Sequence, residues 1–304
     1  MMAELAKFRL GVFVIIYFVF STLPVCHAGL SAGSTISTVS KKETFLKNKL
    51  LYIKTGNIWL FDPATKQNIQ FIQANDVVNF SVSSDYNKIA AIKNNKLYII
   101  NAKTNEEVFL MEVETDMSNP TISPTNDKVI YISESEKEFN KTQAATRKVR
   151  HIWIVDLNTK AKVDLTKDSP YHHTAVQWSP DGRWVSFASS RGNGWRVYLM
   201  NMIDKKQSVK EIESGIFSSW LDNKTLAIGN SHSIKIYDVR SLKQFREIKM
   251  QPGFSPAKFA FAGDNNLYYE DMTENPDLDI SHLDLVSGKK SRVIEDGRSP
   301  MFAK

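Results

Sequence analysis

Three groups of residues in this chain have types and spacings that could do chemistry. Residues 133–150 interrupt an otherwise regular pattern, and their second half carries Lys141, Arg147, Lys148 and Arg150 without an acid. A second stretch gathers Glu270, Asp271, Glu274, Asp277 and Asp279 without a base. Opposed charge lobes of this kind orient a charged partner and speed encounter. The acidic stretch also offers oxygen ligands for Ca²⁺, yet it lacks the Asp-x-Asp-x-Asp-Gly spacing of a calcium loop. The third group runs from Lys167 through Tyr171, His172 and His173. Adjacent histidines in an extended segment point in opposite directions, so the pair does not make a two-His metal site by itself. Nearby, the loop Ser190-Arg191-Gly192-Asn193-Gly194 precedes Trp195, which stands apart from the tryptophans at alternating strand positions.

Signatures of catalysis are few. Gly29-Leu30-Ser31-Ala32-Gly33 spells a nucleophile elbow, but that motif needs a strand before it and a helix after it inside an α/β-hydrolase domain. No phosphate loop, dinucleotide fingerprint or His-Glu-x-x-His occurs in the sequence. The residues therefore favour a binding protein over an enzyme, with no cofactor required.

The elements that must position these groups repeat. An alternating apolar strand ending in Asp or Asn appears as Ile58-Trp59-Leu60-Phe61-Asp62 and Leu97-Tyr98-Ile99-Ile100-Asn101, then again ending at Asp156, Asn201, Asp238 and Asp284. The spacings between these residues are 39, 55, 45, 37 and 46. Upstream of five of them lie two more short strands joined by a polar turn. The clearest is Ser179-Pro180-Asp181-Gly182, where Pro presets φ and Gly accepts a positive one. A fourth, more polar strand follows each phrase, so each unit of about 44 residues reads as one four-stranded propeller blade. The first unit lacks its innermost strand, and Ser299-Pro300-Met301-Phe302-Ala303-Lys304 resembles the start of the other units. These last residues are expected to complete blade one and close a six-bladed all-β ring over residues 49–304, removing its open strand edges.

Ahead of the repeats, Lys7 and Arg9 precede the unbroken run Leu10-Gly11-Val12-Phe13-Val14-Ile15-Ile16-Tyr17-Phe18-Val19-Phe20, and Cys26-His27-Ala28 follows it. That is the layout of a secretory signal peptide over residues 1–28, cleaved after Ala28, with residues 29–48 as a flexible linker. The run is shorter than a spanning helix needs, so no stable membrane span is expected after cleavage. Cys26 is the single cysteine; lipidation there is the alternative processing, although Leu23-Pro24-Val25 suits it poorly. Cleavage after Ala28 leaves a chain without thiol or disulfide chemistry, held by its core. The formal charge is +6 and the pI about 9.1, which admits anionic partners. The basic residues are spread along the chain and an exported protein seldom meets nucleic acid, so nucleic acid is not an expected partner.

The Ser-Pro-Asp-Gly turn, the Ile-Trp-x-x-Asp phrase and the six-fold count resemble the TolB-type β-propeller, found in bacterial periplasmic proteins and beside prolyl-oligopeptidase-type hydrolases. Residues 29–48 leave no room for the mixed α/β domain that precedes the TolB propeller, so the resemblance implies a bare propeller. Second-to-third-strand loops share one face with the blade-to-blade connectors, and blades three and six stand opposite each other in a ring of six. Lys141, Arg147, Lys148, Arg150, Tyr171, His172, His173, Arg191, Trp195, Asp271, Glu274, Asp277 and Asp279 are thus the expected partner-binding set. The reading is a periplasmic or secreted scaffold that docks an envelope protein. Oligogalacturonate lyases, TolB-like propellers with a divalent metal in the central channel, imply a different reading. By that resemblance the chain is a secreted enzyme on an anionic polysaccharide, and His172, His173 and Gln177 would begin its metal site.

Overall fold

The computed structural model describes residues 45–115, 118–140, 145–204, 208–230, 232–250, 258–271 and 278–303. The expected leader, most of the linker, Lys141, Glu274 and Asp277 lie outside the described residues. Among the described residues, twenty-four strands form six antiparallel sheets of four. Innermost strand first, blade one is Arg298–Ala303, Lys49–Lys54, Asn57–Phe61 and Asn68–Ile72, and blade two is Val77–Val82, Lys88–Lys93, Lys96–Asn101 and Glu107–Glu112. Blade three is Thr121–Ile122, Lys128–Asn140, Ala145–Asp156 and Lys162–Asp164; blade four is His173–Trp178, Trp184–Ser189, Arg196–Asn201 and Val209–Ser214. Blade five runs from Phe217–Trp220 through Thr225–Gly229 and Ser233–Asp238 to Lys243–Lys249, and blade six from Phe259–Ala262 through Asn266–Asp271 and Asp279–Asp284 to Lys290–Ile294. The closing strand is as expected: Lys49 pairs Ala303, Leu50 pairs Phe302 and Leu51 pairs Met301.

Each blade is buried on both faces, which accounts for second strands that read as continuous apolar runs. In Lys49–Lys54, Leu51 and Ile53 pack with Val77, Ile89 and Ala91 of blade two. Their neighbours Leu50 and Tyr52 pack instead with Tyr268, Ile280 and Ile294 of blade six. Alternation along one strand therefore feeds two cores, and six such clusters, one per blade interface, hold the ring.

The recurrent Asp or Asn has a local physical cause. Asp62 Oδ1 accepts the N–H groups of Ala64 and Thr65, and Asn101 Oδ1 those of Lys103 and Thr104. Asp156, Asn201, Asp238 and Asp284 do the same two and three residues on, closing the outer hairpin of each blade with an Asx turn. The inner hairpins of blades two, three and four share a second device. Ser83, Ser123 and Ser179 each accept at Oγ the N–H of the residue opening the next strand, and each hydroxyl donates to an Asp of its turn. Gly182 has the positive φ, 70°, expected of it.

Candidate binding face

The blade-three insertion is a β-ribbon. The second and third strands of that blade run 13 and 12 residues and pair as far as Asn140 and Ala145. Register places Glu134 opposite Arg150 and Glu136 opposite Lys148, so an acidic strand that sequence order separates from the basic one is set against it. Lys148 Nζ also stands 4.0 Å from Glu114 Oε2. Because side chains alternate, Arg147, Val149 and His151 take the other face. Val149 and His151 there are fully buried, and the Arg147 guanidinium donates to the carbonyl of Pro170 in the blade-three-to-four connector. What the sequence presents as a basic lobe is in the fold a mixed ribbon with one face seated on that connector.

Three chain segments converge at the ribbon's root. The Arg150 guanidinium lies 5.7 Å from the Trp195 ring, in the second-to-third-strand loop of blade four. From the same loop, Arg191 lies 5.7 Å from the Tyr171 ring and 5.4 Å from that of Tyr198. His172 stitches the segments together: its Nδ1 accepts the Arg150 N–H at 3.3 Å, its N–H donates to Ser190 Oγ, and its carbonyl accepts the Ser190 N–H. Burial, with Arg150 and Arg147 beside it, lowers the His172 pKa, which keeps Nδ1 an acceptor. Tyr171 and Arg191 are exposed and Trp195 is half-buried, so the cluster meets solvent. Tyr198, which the sequence shows only as part of the repeated phrase, is its buried floor; its hydroxyl donates to Glu211 at 2.9 Å.

Beneath lies a polar network. His151 Nδ1 is 2.7 Å from Asp164 Oδ2 and its Nε2 is 3.0 Å from the Ser169 carbonyl. Both nitrogens face oxygen atoms, so the ring is held at both ends. His173 Nε2 meets Ser169 Oγ at 2.9 Å, while its Nδ1 is buried without a hydrogen-bond partner and its ring packs edge-on against Phe187. Burial, then the neighbouring His151 and Arg191, push His173 down to about 3. His173 thus supports the face from inside and presents nothing to a partner.

The other expected residues are placed differently. Asp271 and Asp279 are buried in blade six. Asp271 accepts from Ser281 and pairs with Lys290 at 2.7 Å; Asp279 pairs with Arg292 at 3.2 Å and accepts the Asp296 N–H. Their charges are matched inside the sheet and do not form a lobe facing the ribbon. A central channel with a cavity of about 230 Å³ is lined by all six innermost strands, Gln177 among them, but neither His172 nor His173 reaches its lining. The three residues that would begin a metal site are not brought together. Among the described residues, no group of three or more His, Cys, Asp or Glu could hold a metal ion. At the channel wall stands a polar lock that no sequence pattern marks: Lys258 Nζ donates to Asn79 and Ser299 side chains, and Glu270 accepts the Ser299 N–H.

No protein-family model matches the chain, and no curated protein matches it. Solved structures do. TolB from Acinetobacter baumannii superposes with a TM-score of 0.65 at 16% identity, over 84% of this chain and 66% of that one, so the chain spans about two thirds of its length. A TolB-type structure from Agrobacterium tumefaciens gives 0.56 at 13% identity, covering 84% and 89%. An oligogalacturonate lyase in complex with manganese gives 0.53 at 14%, covering 79% and 70%. Among the described residues, no helix is long and apolar enough to cross a membrane. With six four-stranded blades and a ring closed by its last strand, the chain is a TolB-like six-bladed β-propeller, a likeness of fold.

Proposed function

We propose that this protein is an exported, non-enzymatic propeller scaffold that docks a protein of the cell envelope through its loop-bearing face. The observation that carries the reading is the convergence of Arg150, Trp195, Arg191 and Tyr171 from three segments onto one exposed point of that face. Arg, Trp and Tyr are the residue types that dominate binding energy at protein interfaces, and a rigid ring presents them without an ordering cost. Export rests on the charged start, apolar run and small-residue cleavage site of residues 1–28.

The test is photo-crosslinking in cells, with a photoreactive residue at Tyr171 or, as control, at Ile203 on the opposite end of blade four. Ile203 is 68% exposed, so both positions are accessible. A discrete adduct with an envelope protein from position 171 and none from 203 supports docking. Equal labelling from both, or none from either, overturns it. Stoichiometric divalent metal in the purified protein, with cleavage of polygalacturonate, would establish the enzymatic reading in its place.

A further inference from the structure

We infer that Arg191 is a fork for carboxylate groups, and that the face it belongs to takes an acidic segment of a protein partner. The inference rests on the docking reading above and adds the chemistry of what is docked.

Arg191 sits in a loop whose flanking Gly192 and Gly194 have φ of 84° and 94°, with open space where a Cβ would stand. The loop is short and exposed, yet the guanidinium is not left to wander, because it lies over the Tyr171 and Tyr198 rings at 5.7 and 5.4 Å. A guanidinium held over aromatic rings keeps N–H donors of its fork for a ligand, and that fork matches a carboxylate with two parallel hydrogen bonds. Among the described residues no carboxylate forms an ion pair with Arg191. The acid of the same blade, Glu211, is already held by Arg196 Nε at 2.5 Å and the Tyr198 hydroxyl. Arg191 differs in this from Arg196, Arg183 and Arg292, each of which pairs with an acid of the chain.

The same geometry argues for a protein and against a sugar polymer. Saccharides are held largely by stacking on aromatic faces, and here guanidinium groups lie over the faces of both Tyr171 and Trp195. What the cluster offers is charge-assisted donors flanked by an exposed phenol and a half-buried indole, a setting for an acidic side chain with an apolar neighbour.

The test uses a fluorescently labelled random copolymer of glutamate and tyrosine, with polygalacturonate of similar charge as the competing arm. Binding to the full mature chain is followed by anisotropy at fixed ionic strength. Three variants accompany the wild type: Arg191→Lys, which keeps the charge and loses the planar fork, Arg191→Met, and Arg183→Met, an exposed arginine at the other end of the same blade. The copolymer is expected to bind the wild type and the Arg183 variant alike, and both Arg191 variants roughly 10-fold or more weakly. Arg191→Lys matching the wild type would reduce the site to unspecific charge and overturn the inference. So would absence of copolymer binding, or an equal Arg191 dependence for polygalacturonate. The crosslink from position 171, repeated in the Arg191→Lys background, separates this failure from that of docking itself. An undiminished adduct leaves docking intact and removes Arg191 from it, whereas no adduct in either background removes both.

Discussion

The backbone N–H of Ser299 donates to Glu270 Oε1 at 2.6 Å, a buried hydrogen bond between the closing strand of blade one and the second strand of blade six. Lys258, just before the innermost strand of blade six, donates to Ser299 Oγ at 2.8 Å and to Asn79 of blade two, so one polar group spans three blades. Burial raises the Glu270 pKa and lowers that of Lys258, each partly countered by the other's charge. Glu270→Ala leaves the Ser299 N–H without its acceptor and Lys258 without its counter-charge. A loss of about 2–4 kcal/mol is expected in urea unfolding. Lys258→Met combined with Glu270→Ala should cost less than the two single changes together. A loss below about 0.5 kcal/mol for Glu270→Ala, within the range of ordinary surface substitutions, would show that the lock contributes nothing to closure.

Closure itself has a coarser test. Removing residues 299–304 deletes the partners of Lys49, Leu50 and Leu51, opens the edge of blade one and takes Phe302 off Tyr268 of blade six. The melting temperature is expected to fall by about 10 °C or more, with concentration-dependent aggregation as the bare edge seeks a partner. A melt unchanged from the full chain would mean that the sheets hold without the closing strand.

The Asx turns offer a milder perturbation. Asn101 is exposed and touches no core, yet its Oδ1 accepts the Lys103 and Thr104 N–H groups. Asn101→Ala should cost about 1 kcal/mol, and Asn101→Asp, the residue four other blades use, should restore most of it. If both variants unfold with the wild type, the repeated Asp or Asn has some cause other than the turn.

These turns explain why the fold was legible. An Asx turn needs one residue type at one place, so six blades leave six marks in the sequence whatever happens to their strands. The apolar runs were legible for a similar reason: strands such as Lys49–Lys54 serve two cores and cannot afford polar positions. The binding face was legible only in part. Tyr171, Arg191 and Trp195 stand in loops and were visible by type. The pairing of Glu134 with Arg150 depends on a hairpin register that folds an acidic strand back on a basic one, and counting charges along half of the segment conceals it. Asp271 and Asp279 failed as exposed acids because their partners, Lys290 and Arg292, come from the outermost strand of the blade. The lock at Ser299 joins residues 29 and 41 positions apart, with no local pattern to mark it.

Acid should weaken the fold through His173 before it reaches the carboxylates. His173 is fully buried on Phe187, with His151, Asp164, His172 and Arg191 as the charged or titratable groups around it. Its folded pKa, about 3, lies below the value near 6.5 of an unfolded chain, so between these values the unfolded state binds more protons. Its contribution is complete above about pH 6.5 and is lost as pH falls toward 3, amounting to about 2 kcal/mol by pH 5. Carboxylates held low, such as Asp62 at about 2, lose their contribution only below the ordinary carboxylate range, and Glu270, which burial raises, is present in both chains compared below. Burial also lowers His172 and His282, and both remain in a His173→Gln variant. That variant should therefore be less stable at pH 7.5 yet lose less stability on going to pH 5, the gap between the two unfolding curves narrowing by about 2 kcal/mol. Parallel curves over that window would mean that His173 takes up its proton without opening the ring, and that the network beneath the binding face yields to acid while the fold stays intact.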